Sequence, residues 1–351
     1  MLQRYILRLY IKAFGLSSAV LLGTGVLYLT FETLLVFRQK SLEIFFQYIL
    51  LSLPVAFLYL SPIVSWIALT MLIRFFIQRQ LDRLIVSFGV PPIHLVRPVI
   101  FFSLVLSILH IYMSFQIYPS FQRSLYTIEK EYKKGKKDTL LIKDQWFALK
   151  DGEKVVYSHI GLADVSKGTA YDVFLLYTKE GSIEATLRAS KAFWKGNSLF
   201  IPDAYYEDLE KGGKFYGPME VSFLSLSNIR PLASKLEHIT FTELISVYGM
   251  AERLGINRYA YLAEILRRLQ LSLMPLLMVT IVARALLKRR SLVEGSLYGG
   301  FSLALHMLSL NLIKITAEEI GVNPLWGLLP SFFLLMMVLR SLYDLEKGFG
   351  V

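Results

Sequence analysis

The chain has 351 residues, 54% of them hydrophobic and only 19% charged, with a mean hydropathy of +0.49 and a formal charge of +11. That balance excludes an ordinary soluble domain and points to an integral membrane protein. With no cysteine there is no disulfide framework, CxxC redox pair or thiolate metal site. The basic residues cluster beside apolar runs, where they act as topology signals, and no nucleic-acid partner is expected.

The opening "MLQRYILRLYIKAFG" has the basic flank of a signal peptide, but no small-residue cleavage site follows, so it reads as a retained first helix. About 20 apolar residues are needed to cross a bilayer. The charge-free runs 13–31, 44–73, 98–122, 295–313 and 320–339 meet or approach that length. A sixth run, 269–283, is too short alone and must extend through Glu264, Arg267 and Arg268. If six spans alternate, four basic groups fall on one side: Arg4, Arg8 and Lys12; Arg74, Arg79, Arg83 and Arg97; Arg284, Lys288, Arg289 and Arg290; and Arg340 with Lys347. Both termini are then expected in the cytoplasm.

Glu32, Arg38 and Lys40 crowd the outer end of the first span. Between the second and third spans, "RFFIQRQLDRLIVSFGVPPIHLVRP" places Ile77, Leu81, Leu84, Ile85 and Phe88 on one face, opposite Arg79, Asp82, Arg83 and Ser87. The spacing predicts an amphipathic helix over about 77–88, stopped by Gly89 and Pro91-Pro92.

After the third span the composition becomes that of a β domain. Short alternating runs are separated by hairpin-like turns at Lys150-Asp151-Gly152-Glu153, Lys179-Glu180-Gly181-Ser182 and Trp194-Lys195-Gly196-Asn197. Alternation is read as sending Phe174, Leu176, Ile183 and Leu187 toward one interior. The reading is an α-helical membrane protein with six transmembrane helices (3+3) and an inserted extracytoplasmic all-β, jelly-roll-like domain. Residues 1–122 hold the first three spans, 123–258 the β domain and 259–351 the last three.

In the fourth span Glu264, Arg267 and Arg268 stand at i, i+3 and i+4 on one helical face, with Glu264 placed to pair Arg268. Charges at membrane depth are costly and face a cavity or a partner helix. Two basic groups at one depth, Arg38 with Lys40 and Arg267 with Arg268, suit the phosphates of a lipid headgroup; snorkelling is the plainer alternative. Lys314 with Glu318 and Glu319 reads as a surface ion pair. His110 and His306, inside spans, read as buried imidazoles bonded to neighbouring helices. No P-loop, HExxH or Gly-x-Ser-x-Gly elbow occurs, so no enzyme, metal or cofactor is expected.

The order of elements, together with "DQWFALKDGEKVVYSHIGLADVSKGTAYDVFLLYTKEGSIEATLRASKAFWKGN" and the spacing of Gly89 and Arg97-Pro98 after the helix near 77–88, resembles the LptF/LptG permeases of the lipopolysaccharide-export ABC transporter along essentially the whole chain. Gly321, Pro324 and Pro330 match the outer turn of the final pair. The resemblance implies a Gram-negative inner-membrane permease with a periplasmic β domain. Its helix, through Leu81, Asp82, Arg83, Leu84, Phe88 and Gly89, would couple to an LptB-type cytoplasmic ATPase dimer. It further implies a second LptF/LptG-type subunit or a second copy, LptC/LptA-type periplasmic β-jelly-roll partners, and lipopolysaccharide as cargo, with acyl chains passing Phe174, Leu176, Ile183 and Leu187. Where the family usually carries a coupling-helix glutamate, eight residues before the glycine, this chain has Leu81 next to Asp82. The basic residues of the fourth span also lie about a turn further from Pro275 than in the family. A membrane-anchored scaffold or sensor fits the topology too, but gives no reason for the amphipathic helix or the charged face of span four.

Overall fold

In a bilayer every backbone polar group must be satisfied within the segment, so a long apolar run becomes a helix whatever its propensities. The computed structural model describes residues 2–36, 42–133, 141–151, 154–232, 234–252 and 254–348. The chain divides into two compact units: residues 1–134 with 263–351, and residues 135–262.

The first unit is helical. Helices α1 (Leu2–Val36) and α2 (Leu42–Gln78) precede a short α3 (Leu81–Ser87). Next, α4 (Ile93–Tyr112) continues through a π-helical turn, Met113–Ile117, into α5 (Tyr118–Ile128), so the third span runs past Gln122. Six helices among the described residues are long and apolar enough to cross a membrane. The fourth, α8 (Arg258–Arg289), is the most buried of these, while the fifth and sixth are α9 (Leu292–Lys314) and α10 (Leu329–Lys347). Val20, Phe31, Phe101, Ile108, Phe332 and Phe333 remain exposed on the outside of the bundle, an apolar surface suited to lipid rather than water. Close approach inside depends on small residues. A Cβ on Gly327, in the 3₁₀ turn Pro324–Leu328, would overlap the backbone of Leu312 and Ile313 in α9.

His110 and His306 are buried and bonded across helices, as expected. Ser61 Oγ lies 3.3 Å from His110 Nδ1, and Gln270 Nε2 lies 3.3 Å from His306 Nδ1.

The second unit is built on one antiparallel sheet whose strands pair in sequence order: β1 (Leu141–Asp151), β2 (Lys154–Asp164), β3 (Thr169–Lys179), β4 (Ser182–Lys195), β5 (Ser198–Asp208) and β6 (Lys214–Ser222). The β3–β4 turn has positive φ at both Glu180 (50°) and Gly181 (83°), the pair of left-handed residues that matches the twist of a two-residue hairpin. Two short helices follow, α6 (Leu226–Ile229) and α7 (Phe241–Ala251). The latter opens on a capping box in which Thr240 and Glu243 satisfy each other's backbone ends.

One face of the sheet buries Phe147, Ile160, Val173, Leu175, Leu187, Leu199 and Ile201 in a single apolar core with Phe223 and Ile229. Burial pushes the Tyr177 phenol, packed against this core, up to about 12. This register corrects the expected interior. Leu187 is in the core opposite Leu175, but Phe174 and Leu176 alternate with Val173 and Leu175 and therefore lie on the other face, and Ile183 is exposed. The run Val173-Phe174-Leu175-Leu176 is apolar in both phases, so alternation alone did not choose between them.

Candidate functional site

Charge enters the helical unit at the N-terminal half of α8. One carboxylate, Glu264, holds two guanidinium groups: Arg268 Nε donates to its Oε1 at 2.8 Å, and Arg267 Nη2 lies 2.9 Å from its Oε2. The two arginines differ in what they have left to offer. Arg268 is 3% exposed, donates also to the Ser114 carbonyl at 3.3 Å, and sits 5.9 Å from the centre of the Phe115 ring. Arg267, whose side chain is 33% exposed, faces a cavity of about 170 Å³.

The Ser114 carbonyl is available because of the π-helical turn, which shifts the local hydrogen-bond ladder by one residue. Ser272 reinforces the arrangement, donating within 2.8 Å of the Arg268 carbonyl and lying 3.2 Å from Ser114 Oγ. Tyr59, Ser114, Tyr118, Asn311 and Lys314, with Glu264 and Arg268 themselves, complete the polar lining of the cavity. The Tyr59 and Tyr118 hydroxyls lie 3.1 Å apart. Lys314 stands 3.9 Å from Glu318, at the limit of an ion pair, with its side chain 58% exposed. A pocket with apolar walls, three hydroxyls, an amide, and three cations against the single Glu264 carboxylate suits an anion attached to a hydrophobic body.

The second polar feature lies between α2 and α4. The chain breaks after α2 at Gln80, which takes a left-handed φ of 55°, so α3 begins only at Leu81 and Ile77 belongs to α2. The single apolar face expected from about 77 to 88 is therefore divided. Leu81 and Ile85 pack against the core of the bundle, whereas Leu84 (52% exposed) and Phe88 (76% exposed) point away from it. Asp82, expected on the polar outer side, is buried. Its Oδ1 accepts from Arg290 Nη2 at 3.2 Å and its Oδ2 lies 2.8 Å from Arg290 Nε, while the same Nη2 reaches the Ile77 carbonyl at 3.4 Å. Arg290 occupies the turn between α8 and α9 with a φ of 53°. Asp82 thus fastens α3 to the second triplet of spans. Gly89, at φ 74°, ends the segment as expected.

Residues 4–343 match the family described as "Lipopolysaccharide export system permease LptF/LptG". The chain belongs to the LptF/LptG family. It is also 26% identical over 357 aligned positions, covering the whole of both chains, to a protein of Aquifex aeolicus described only as "Uncharacterized protein". Membership makes this chain a permease of the lipopolysaccharide export system rather than an enzyme, and with six spans a multi-pass inner-membrane protein.

Placed on the LptF/LptG chain, the residues singled out from sequence divide clearly. Glu264, Arg267 and Arg268 all line the cavity, Arg268 being the more buried of the two arginines and held by Glu264 and the Ser114 carbonyl. Arg38 and Lys40, and the side chain of Glu32, lie outside the described residues. Leu84 and Phe88 are free on the surface, with Arg83 beside them lining a groove of about 300 Å³. Lys314 was legible only as a surface pair and Arg290 only as a topology charge, since neither i, i+4 spacing nor charge counting shows which distant helix a side chain meets. The contributions of Tyr59, Tyr118 and Asn311 left no signal in the sequence.

Proposed function

We propose that this permease works with a cytoplasmic ATPase dimer of LptB type and a second LptF/LptG-type subunit, or a second copy of itself, to take lipopolysaccharide from the outer leaflet of the inner membrane. Both termini and α3 lie on the cytoplasmic side and the β domain in the periplasm. Arg267, Arg268 and Lys314, with Arg38 and Lys40 just beyond the first apolar run, receive the headgroup phosphates. The acyl chains then move along the core face of the β domain, past Val173, Leu175 and Leu187 rather than Phe174 and Leu176, toward LptC/LptA-type partners. A seam for their entry lies where β4 and β5 lose their pairing between Arg188↔Tyr205 and Phe193↔Phe200, over the small core residues Ala189, Ala192 and Ala204.

The observation that carries this reading is α3. A seven-residue helix that leaves Leu84 and Phe88 unpartnered while Asp82 is fastened to Arg290 has an outer side fit for a groove and an inner side fit to pass movement to the spans. A scaffold needs neither. Leu84→Asp or Phe88→Asp would place an unpaired charge in the ATPase groove and should loosen the complex while membrane insertion persists. Copurification of the ATPase with tagged wild-type and variant chains tests it; equal recovery with all three would leave α3 a helix resting on the membrane surface.

A further inference from the structure

On the face of the β-sheet opposite its core, six side chains stand in one register row, one from each strand: Trp146, His159, Phe174, Arg188, Tyr205 and Tyr216. Every one is planar. The Trp146 and His159 rings are 4.8 Å apart, Trp146 meets Phe174 edge-on at 6.3 Å, and the Arg188 guanidinium sits 5.4 Å from the Phe174 centroid. At the two ends of the row Trp146 is 53% and Tyr216 71% exposed. The row borders an open depression of about 810 Å³, whose rim carries Asp172, Ser190 and Asp203. Asp172 takes a left-handed φ of 53°, and Gly161 faces it: a Cβ there would come within 2.9 Å of Asp172 Cβ, so a side chain at 161 would crowd the carboxylate.

We infer that this face binds an oligosaccharide. A pyranose ring offers an apolar C–H face, which the negative π-face of an aromatic ring attracts, and an edge of hydroxyls that both donate and accept. The row supplies the platforms, Asp172 and Asp203 accept, and Arg188 donates. Asp172 and Asp203, with Asp144 held 2.7 Å from the His159 imidazole, outnumber the single guanidinium, which disfavours a phosphate, and the row of planar platforms favours a hydroxyl-rich ring over a basic peptide. Strands repeat about every 4.8 Å, roughly the length of one sugar unit, so the six-strand row spans several rings.

The sugar could belong to the exported glycolipid or to a cell-wall glycan, and the test separates them. Binding of delipidated lipopolysaccharide core oligosaccharide and of a chito-oligosaccharide to the purified full chain is measured by calorimetry, without ATPase, so that failure of the transport reading leaves this outcome readable. We expect one of the two to bind wild type, and the Trp146→Ala/Tyr216→Ala double variant to bind it about tenfold more weakly. Trp146→Phe should stay within about threefold of wild type, because it keeps a platform. An unchanged melting temperature certifies that the exposed double variant is folded. Preference for the core oligosaccharide identifies the cargo as the source, and preference for the chito-oligosaccharide identifies the cell wall. Failure of both sugars to bind wild type overturns the inference, as does equal binding by the alanine variant. Copurification of a protein that the same alanines release, with no sugar bound, would also overturn it and make the face a protein interface.

Discussion

Arg267 and Arg268 are neighbours in sequence with different surroundings. Arg268 and Glu264 are both buried and bonded to each other, so truncating the arginine leaves a carboxylate with one remaining partner in a low-dielectric interior. Arg268→Gln should therefore lower stability by about 3–5 kcal/mol, read as a fall in melting temperature of the detergent-solubilised chain. Arg267 is a third exposed, so its pairing with the buried Glu264 is partly screened, and Arg267→Gln should cost less than Arg268→Gln, about 1–3 kcal/mol. The same change should weaken retention of phosphorylated lipid, measured by native mass spectrometry, and Arg267→Lys should restore much of it. Equal lipid retention by wild type and Arg267→Gln would remove the cavity from the proposed headgroup path. Sequence spacing placed Glu264, Arg267 and Arg268 on one face correctly, yet it could not rank the two arginines. The ranking depends on Ser114 and Phe115, which arrive from another span through a π-helical turn that no residue pattern announces.

At the scale of elements, α3 is shorter than its apolar periodicity suggests, because the hydrogen-bond ladder of α2 runs to Gln78 and the left-handed Gln80 then redirects the chain. Its coupling to the rest of the bundle rests on Asp82 and Arg290. Asp82 is buried while Arg290 is about a quarter exposed, so Asp82→Asn should cost about 1–3 kcal/mol. A charge reversal distinguishes a specific link from a general need for charge. Asp82→Arg and Arg290→Asp should each uncouple ATP hydrolysis from lipid release, whereas the double reversal should recover part of it. No recovery, with both singles folded and bound to the ATPase, would mean that force passes to the spans by another route. In the β domain the strands and hairpins were legible from turn chemistry: Glu180-Gly181 adopts the left-handed pair its sequence suggests. The phase of β3 was not, since Phe174 and Leu176 line an aromatic outer face that is as apolar locally as the core face. A strand apolar in both phases withholds its register from a single sequence.

The number and order of the spans could be read from the whole sequence because each is decided locally, by an apolar run matched to the thickness of a bilayer. The cavity could not, because Tyr59, Tyr118, Arg267, Asn311 and Lys314 come from four helices and meet only through packing. The orientation of the bundle lies between these cases. It is argued from basic residues beside the spans, and the segment between the third and fourth spans is long enough to translocate regardless of its own charge. The absence of cysteine makes that argument testable at single positions. Ser87, at the end of α3, and Lys195, at the β4–β5 turn, are both exposed, so a cysteine at either should be reachable without disturbing a core. In intact cells with a permeabilised outer membrane, a membrane-impermeant maleimide should label Lys195→Cys fully. Ser87→Cys should react only after the inner membrane is opened, because a helix that docks on an ATPase must lie on the nucleotide side. Labelling of both cysteines from outside would place α3 and the β domain on one face, and α3 could then not receive work from a cytoplasmic ATPase.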